Sequence, residues 1–413
     1  MHVRSLAARW PGVQSRRSNR YAGRLFGFLV ASLAALVLVV AGATAAPAFA
    51  GAPGSRPAPP SPAAAASSAA AASSAAAASS AKWHSQRVPA GLDELRLKSV
   101  SCAKDGKHCA TSGTFCSIGG CGGLLTSAVL TTTNGGASWK KRSLPAHIGS
   151  IGAISCGSTT FCVAPAVKGP LGANAKESLL VTRNGGSSWK VATAPGDNLV
   201  QDVSCPAAAT CFGTVASGAI DKTTDGGKKW KSTTTSASGL TAISCASATH
   251  CVALANAGSA FVYTTNGSRW HLVTPSGSPE LGSISCSSRS ACDAAGHNSS
   301  GTTFIVLATA NGGKSWKTKT LPSALDVVDG IACASAKRCI VTGEVEVSSE
   351  SSNKAIFATT DGGSKWTAQS LPSGTDNLNG AWCSAKAHCL AVGSYIKSSH
   401  GTITDEGPYI LAS

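Results

Sequence analysis

Between residues 82 and 413 the chain is built from short runs of β-branched and apolar residues, four to eight long, cut apart by Gly, Asn, Asp, Ser and Pro. One stretch illustrates the rest: Leu240 to Ser244, Cys251 to Ala255, Ala260 to Thr264 and Trp270 to Val273 read as four successive strands, closed by Pro275. Runs this short, bounded by turn residues and lacking a 3.6-residue period, predict strands and exclude a helical repeat. The cluster of four recurs every ~40 to 50 residues, the period of a propeller blade.

Two motifs mark each period. The first is a cysteine pair with five intervening residues: Cys156/Cys162, Cys205/Cys211, Cys245/Cys251, Cys286/Cys292, Cys333/Cys339 and Cys383/Cys389, with Cys102/Cys109 one residue longer. The second is Thr-x-[Asn/Asp]-Gly-Gly-x-x-Trp, carrying Asn134 and Trp139, Asn184 and Trp189, Asp225 and Trp230, Asn311 and Trp316, Asp361 and Trp366; a copy one residue shorter carries Asn266 and Trp270. Seven cysteine pairs and six Trp turns are reconciled at the ends. Tyr409 to Ala412 matches the strand before a turn, and Trp83 to Val88 matches the strand after one. The N-terminal strand is therefore expected to complete the last blade and close the ring. The expectation is an all-β, seven-bladed propeller of four-stranded blades over residues 82–413, with intrablade disulfides.

The Trp turn resembles the Asp-box of BNR repeats, Ser/Thr-x-Asp-x-Gly-x-Thr-Trp, found in sialidases, xyloglucan-degrading hydrolases, sortilin-type receptors and the photosystem II stability/assembly factor. The assembly-factor type is the best match, sialidase-like propellers a more distant one. The resemblance implies a structural turn between a blade's third and fourth strands, with the Trp filling space against a neighbouring blade. It says little about activity, because the fold hosts enzymes, receptors and scaffolds. The photosynthetic partner is not carried over: the family's assembly role depends on a specific arginine patch, and the Ala/Ser tether and cysteine pairs depart from its pattern.

The N-terminus sets the compartment. Six arginines and no acid precede an apolar run from Leu25 to Val40, and Ala48-Phe49-Ala50 offers small residues for cleavage, so residues 1–50 read as a signal peptide or a retained signal anchor. Residues 51–81, nearly all Ala, Ser, Pro and Gly, have nothing to bury and read as a disordered linker. The folded part is placed outside the cell, secreted or surface-tethered. All 16 cysteines lie beyond residue 100, and in an oxidising compartment they predict disulfides. Cys116 and Cys121 form the eighth expected pair. His108, His250 and His388, each beside a second cysteine, raise a metal reading, but they fall on blades one, four and seven and cannot share one ion. No metal and no cofactor is expected.

Net charge is +16, and the basic residues gather at the Trp turns and the strand after them, Lys228, Lys229, Lys231 and Lys319 among them. They are read as edge protection or as adhesion to an anionic surface. Nucleic acid is not an expected partner, and membrane contact runs only through an uncleaved N-terminal segment. The spacing from second cysteine to box Asn or Asp is 14 and 15 residues in blades three and four and 19 to 25 elsewhere. This predicts long loops on the face opposite the boxes, where Glu344, Glu346, Tyr395 and His400 are candidate binding residues. The Phe/Tyr-Arg-Ile-Pro motif of sialidases is absent. Asp202, Asp326 and Asp329 lie near first strands, but their spacing does not single out a catalytic pair. The sequence favours a non-enzymatic binding or scaffold module for a protein or an anionic cell-surface polymer, with a glycoside hydrolase or sialidase-like enzyme at the tunnel mouth as its rival.

Overall fold

The computed structural model describes residues 82–115, 126–169, 176–193, 199–348, 351–386, 388–399 and 402–413. The signal and linker expectations, Cys116 with Cys121, and His400 lie outside them. The described residues, from Lys82 onward, form one compact unit, a ring of seven antiparallel sheets. In the fourth blade Ile243–Ser247, His250–Ala255, Ala260–Thr264 and His271–Val273 follow one another outward from the axis. The others repeat this order. In blade two the inner strand is split into Ile148–Ile151 and Ser155–Cys156, both paired with Cys162–Lys168. Pro165 stands opposite the break and has no N–H for the ladder, which accounts for the interruption.

The seventh blade is completed from the other end of the chain. His84 and Ser85 pair antiparallel with Ala412 and Leu411, and the Gln86 N–H continues to the Ile410 carbonyl at 2.7 Å. The paired segment is shorter than the Trp83–Val88 strand the sequence predicts. Trp83 is buried among Ala332, Ile340 and Ile356 of blade six and Tyr409 and Leu411 of blade seven.

Each blade carries one disulfide between its first and second strands. The bonded pairs are Cys102–Cys109, Cys156–Cys162, Cys205–Cys211, Cys245–Cys251, Cys286–Cys292, Cys333–Cys339 and Cys383–Cys389. In all but the Cys205–Cys211 bridge the two cysteines stand directly opposite one another in the ladder; Cys286 and Cys292 of blade five are one such pair. So many bridges fit an oxidising environment. Among the described residues no helix is long and apolar enough to cross a membrane.

The core is not one mass. It is seven clusters, each shared between neighbouring blades. Trp139 of blade one packs on Leu390, Val392 and Ile410 of blade seven, and Trp189 of blade two on Ala110 and Val129 of blade one. Trp316 stacks on Phe261 of the preceding blade with centroids 3.8 Å apart, and Trp270 meets Phe212 edge-on at 6.2 Å.

The long second-to-third connections are a correction. In blades six and seven they are not loops. Cys339–Ser348 pairs with Ser351–Thr359, and Cys389–Ser399 with Thr402–Ala412, so both hairpins continue as ladder for nine to eleven residues a side. The equivalent strands of blade four have six and five.

Candidate functional site

The ring has two faces, and they are built differently. On one face lie the cysteine hairpins and the Trp turns. Every Trp turn has the same internal wiring: the Thr hydroxyl donates to the Asn or Asp Oδ1 and accepts the N–H of a glycine, as from Thr132 to Asn134 (2.7 Å) and from Gly136 to Thr132 (3.2 Å). The same Oδ1 also accepts a backbone N–H further on, from Ser138, Ser188, Lys229, Arg269, Ser315 or Lys365. These bonds favour the ionised form, and they hold the Asp225 and Asp361 carboxyls below the usual carboxylate range. The turns commit the Oδ1 of each Asn and Asp to their own backbone.

A second device runs around the axis. The residue before the first cysteine is Ser in five blades, and its hydroxyl accepts the N–H of the next blade's first cysteine: Ser101 from Cys156 (3.0 Å), Ser155 from Cys205 (2.9 Å), Ser204 from Cys245 (3.0 Å), Ser244 from Cys286 (2.8 Å) and Ser285 from Cys333 (3.0 Å). Blades six and seven place Ala332 and Trp382 there. Trp382 packs instead against the cluster of blade one. Sequence reasoning missed this ring, although the Ser-Cys dipeptide repeats openly. These hydroxyls and disulfides surround a cavity of about 550 Å³ at this end of the tunnel.

At the opposite mouth the innermost strands carry β-bulges. The register slips at Lys98, Gln201, Gly282, Asp329 and Asn379 in blades one, three, five, six and seven; blade six slips again at Asp326, and blade three again between Ser204 and Ala207. Each of the first five is the fourth residue before its first cysteine, and the same count gives Gly152 and Thr241 in blades two and four. A bulge turns the extra residue out of the ladder and re-aims its side chain, here into a cavity of about 350 Å³ lined by all of these except Gly152. Glycines on the second strand make room for the bulge: a Cβ on Gly343 would stand 2.1 Å from the Val327 carbonyl, and one on Gly393 only 1.6 Å from that of Asn377.

Two of the acids considered for catalysis reach this mouth, and both are engaged. Asp202 accepts the N–H of Val203 (2.8 Å) and of Ile243 in the next blade (2.9 Å); burial nevertheless pushes its pKa up to about 6. Asp329 lies 3.5 Å from Nζ of Lys354, which is almost wholly buried and also bonded to Glu344. Asp326 does not line the mouth. Neither arginine nor tyrosine is among the residues lining either mouth.

The other sequence candidates separate into two groups. Glu344 serves the Lys354 cluster, and the Tyr395 hydroxyl donates to Asp405 at 3.2 Å within its own hairpin. Glu406 of that hairpin meets Arg96 of blade one at 3.4 Å. Glu346, Lys228, Lys229 and Lys231 are exposed. Lys319 of the basic perimeter ties two blades together. Its ammonium bonds the Gly362 carbonyl in the next blade's turn, as Lys222 does that of Gly267 at 2.9 Å. His108 is held by Asp105 at 2.5 Å and His250 by Thr249 at 2.9 Å, so these two histidines stabilise cysteine hairpins.

Two buried acids, Asp221 and Asp293, stand where the other blades are apolar. Asp293 follows Cys292, the second cysteine of blade five, where the other blades place Ala110, Val163, Phe212, Val252, Ile340 and Leu390. Burial raises its pKa to about 6, with Lys319 drawing it back. It lies beside Cys333 and Cys339 at metal-ligand spacing, but those sulfurs are bonded to each other. One carboxylate does not hold a metal ion.

No protein-family model matches the chain, and no curated protein matches it. Solved structures do. YCF48 bound to a D1 peptide is 15% identical, with 80% of this chain and 96% of that one covered and a TM-score of 0.54. The WD40 repeats of RRP9 give 8% identity, 80% and 97% coverage and a TM-score of 0.56; streptogramin B lyase gives 11%, 80% and 97%, and 0.53. At such identities the likeness establishes the seven-bladed fold, which these neighbours use both for binding and for catalysis.

Proposed function

We propose that this protein is a non-enzymatic binding module, exported through its N-terminal segment and held outside the cell on the Ala/Ser-rich linker, where it docks a protein or an anionic cell-surface polymer. The carrying observation is that the acids at the tunnel mouth are committed to the frame, Asp202 to two backbone N–H groups and Asp329 to Lys354. A paired-carboxylate hydrolase needs one acid free to give a proton and another free to attack or activate water.

The fixed ladders of blades six and seven supply a rigid platform with Glu346 exposed upon it. Lys228, Lys229 and Lys231 supply positive charge at the opposite edge of the ring. In this reading the Trp turns are Asp-boxes of BNR type, acting as structural staples. The peptide bound to one structural neighbour is compatible with a protein partner. The test is a binding screen of the purified protein against teichoic-acid-type polymers, neutral glycans and extracellular proteins, with hydrolysis of each glycan followed in parallel. Saturable binding without turnover is the expected outcome. Release of reducing sugar would establish the hydrolase instead.

A further inference from the structure

We infer that the bulge-lined mouth of the tunnel is a binding site for a small hydroxycarboxylate anion, seated over blades one to three between Lys98 and Gln201. The site is distinct from the polymer- or protein-docking surfaces proposed above and does not depend on them.

The bulges show that these side chains are placed, not left over. Five innermost strands break register at the same position, and in each the displaced residue enters one shared cavity. The blade frame needs nothing in particular there, since Lys, Gly, Gln, Thr, Gly, Asp and Asn occupy the seven equivalent positions. Elsewhere the repeat holds its Cys, Trp and Gly nearly constant. Side chains of differing chemistry that converge on one shared cavity are what a ligand site is built from, whereas the frame sets no requirement at these positions.

The balance of hydrogen-bonding groups gives the ligand's chemistry. Both acids of the mouth are already answered, Asp202 by two N–H groups and Asp329 by Lys354. Asn379 gives an N–H to the Leu97 carbonyl at 2.8 Å. Two donors are left over. No hydrogen bond or ion pair engages Lys98 among the described residues, and desolvation holds its ammonium pKa below the ordinary lysine value. Nε2 of Gln201 is buried with no acceptor. A buried donor without a partner is costly, and this applies to the Gln201 amide; Lys98 is exposed at the mouth and offers its ammonium there, so together the two groups favour a ligand with acceptor oxygens and one negative charge. Gly152, between them in ring order, has no side chain to fill the space. A planar carboxylate matches an ammonium and an amide N–H from two sides. Phosphate brings a second charge toward Asp202 and Asp329. Thr241, Ser99 and Ser283 complete a polar lining without an aromatic ring, which suits hydroxyls better than an apolar tail. A volume of about 350 Å³ admits an acid of six or so carbons.

The test is calorimetric titration of the full-length exported protein with gluconate, glucose, inorganic phosphate and putrescine at fixed ionic strength. Gluconate should bind saturably at one site, and glucose, which has the hydroxyls but no charge, at least tenfold more weakly. Lys98→Met should weaken gluconate at least tenfold and Gln201→Leu severalfold, both with unchanged ligand-free melting. If Lys98→Met fails to fold, Lys98→Gln, which keeps the reach and removes the charge, takes its place. The triple replacement of Lys228, Lys229 and Lys231 by Ser should leave gluconate affinity as it was. Equal binding of glucose, tighter binding of phosphate or putrescine, no binding of gluconate, or a Lys98 variant that binds like the parent would each overturn the assignment.

Discussion

The two faces of the ring follow opposite rules. On the face of disulfides and Trp turns, nearly every contact recurs from blade to blade: the cystine, the Thr–Asn/Asp–Gly turn, and the serine that accepts the next blade's cysteine N–H. On the other face little recurs. Hairpins range from a tight turn at Asn256–Gly258 in blade four to the extended ladders of blades six and seven, and the bulged residues differ in charge and size. The lesson is a division of labour. A small repeat cannot bury its own faces, so the joints between blades must be made seven times over. Once those joints sit on one face, the other is free to diverge.

The sharpest way to break that comparison is to open the ring. Deleting residues 82–89 strips the outer strand from blade seven and removes buried Trp83 from the joint with blade six. Loss of a large buried aromatic alone costs ~3 to 5 kcal/mol, and an open sheet edge is added to it. The truncated protein is expected to aggregate or melt far below the parent in a thermal scan. Deletion within residues 51–80 should leave the melting temperature unchanged.

Next in size is Asp293, a buried acid at a position where the other blades are apolar. Its folded pKa of about 6 lies above its unfolded value, so the folded state binds the proton more tightly. The stabilisation is therefore full below pH ~4 and is lost as pH rises through 6; a shift of this size corresponds to roughly 2 to 3 kcal/mol. Asp202 acts in the same direction. Chemical denaturation should show stability rising as pH falls from 7 to 5, and Asp293→Asn should flatten that slope. A slope unaltered by the substitution would remove Asp293 from the account.

A single bridge has a smaller effect. The double replacement of Cys205 and Cys211 by Ser opens a loop of about seven residues, worth about 2 kcal/mol in the chain-entropy model, and the shift should be read as a lower denaturant midpoint. Smallest of all is the exposed basic edge. Replacing Lys228, Lys229 and Lys231 with Ser should move stability by less than ~0.5 kcal/mol, yet reduce salt-sensitive retention on an anionic wall polymer, since exposed charge is screened within ~8 Å at physiological ionic strength. Retention that ignores both salt and these lysines would leave the edge with a solubilising role alone.

The sequence revealed what repeats. Seven cysteine pairs, six Trp turns and the strays at Trp83 and Tyr409 sufficed to place the blades and the closure, because each motif is a local structure that reports itself. What stayed hidden depends on neighbours across space. The serines before the cysteines look like polar filler until the next blade's N–H is seen beside them. Asp293 reads as one more residue after a cysteine until its burial against the Cys333–Cys339 bridge of blade six is seen. Glu344 and Tyr395 looked like loop residues because they are polar; in fact they lie in strands and answer Lys354 and Asp405. The alternation in Cys339–Ser348, with Val341 and Val345 inward, was a signal of strand that spacing alone outweighed. The bulged residues were legible only as a count of four back from each first cysteine, a register that has no meaning until the strands are paired.

The central claim, a repeating face that carries stability and a divergent face that carries recognition, is tested most directly by denaturant unfolding of two double variants side by side. Ser155→Ala with Ser204→Ala leaves the N–H groups of Cys205 and Cys245 without acceptors, at ~1 to 3 kcal/mol each, whereas Lys98→Met with Gln201→Leu touches only the mouth. The account predicts a loss of several kcal/mol in the serine variant and none in the mouth variant. A stable serine variant beside a destabilised mouth variant would contradict it.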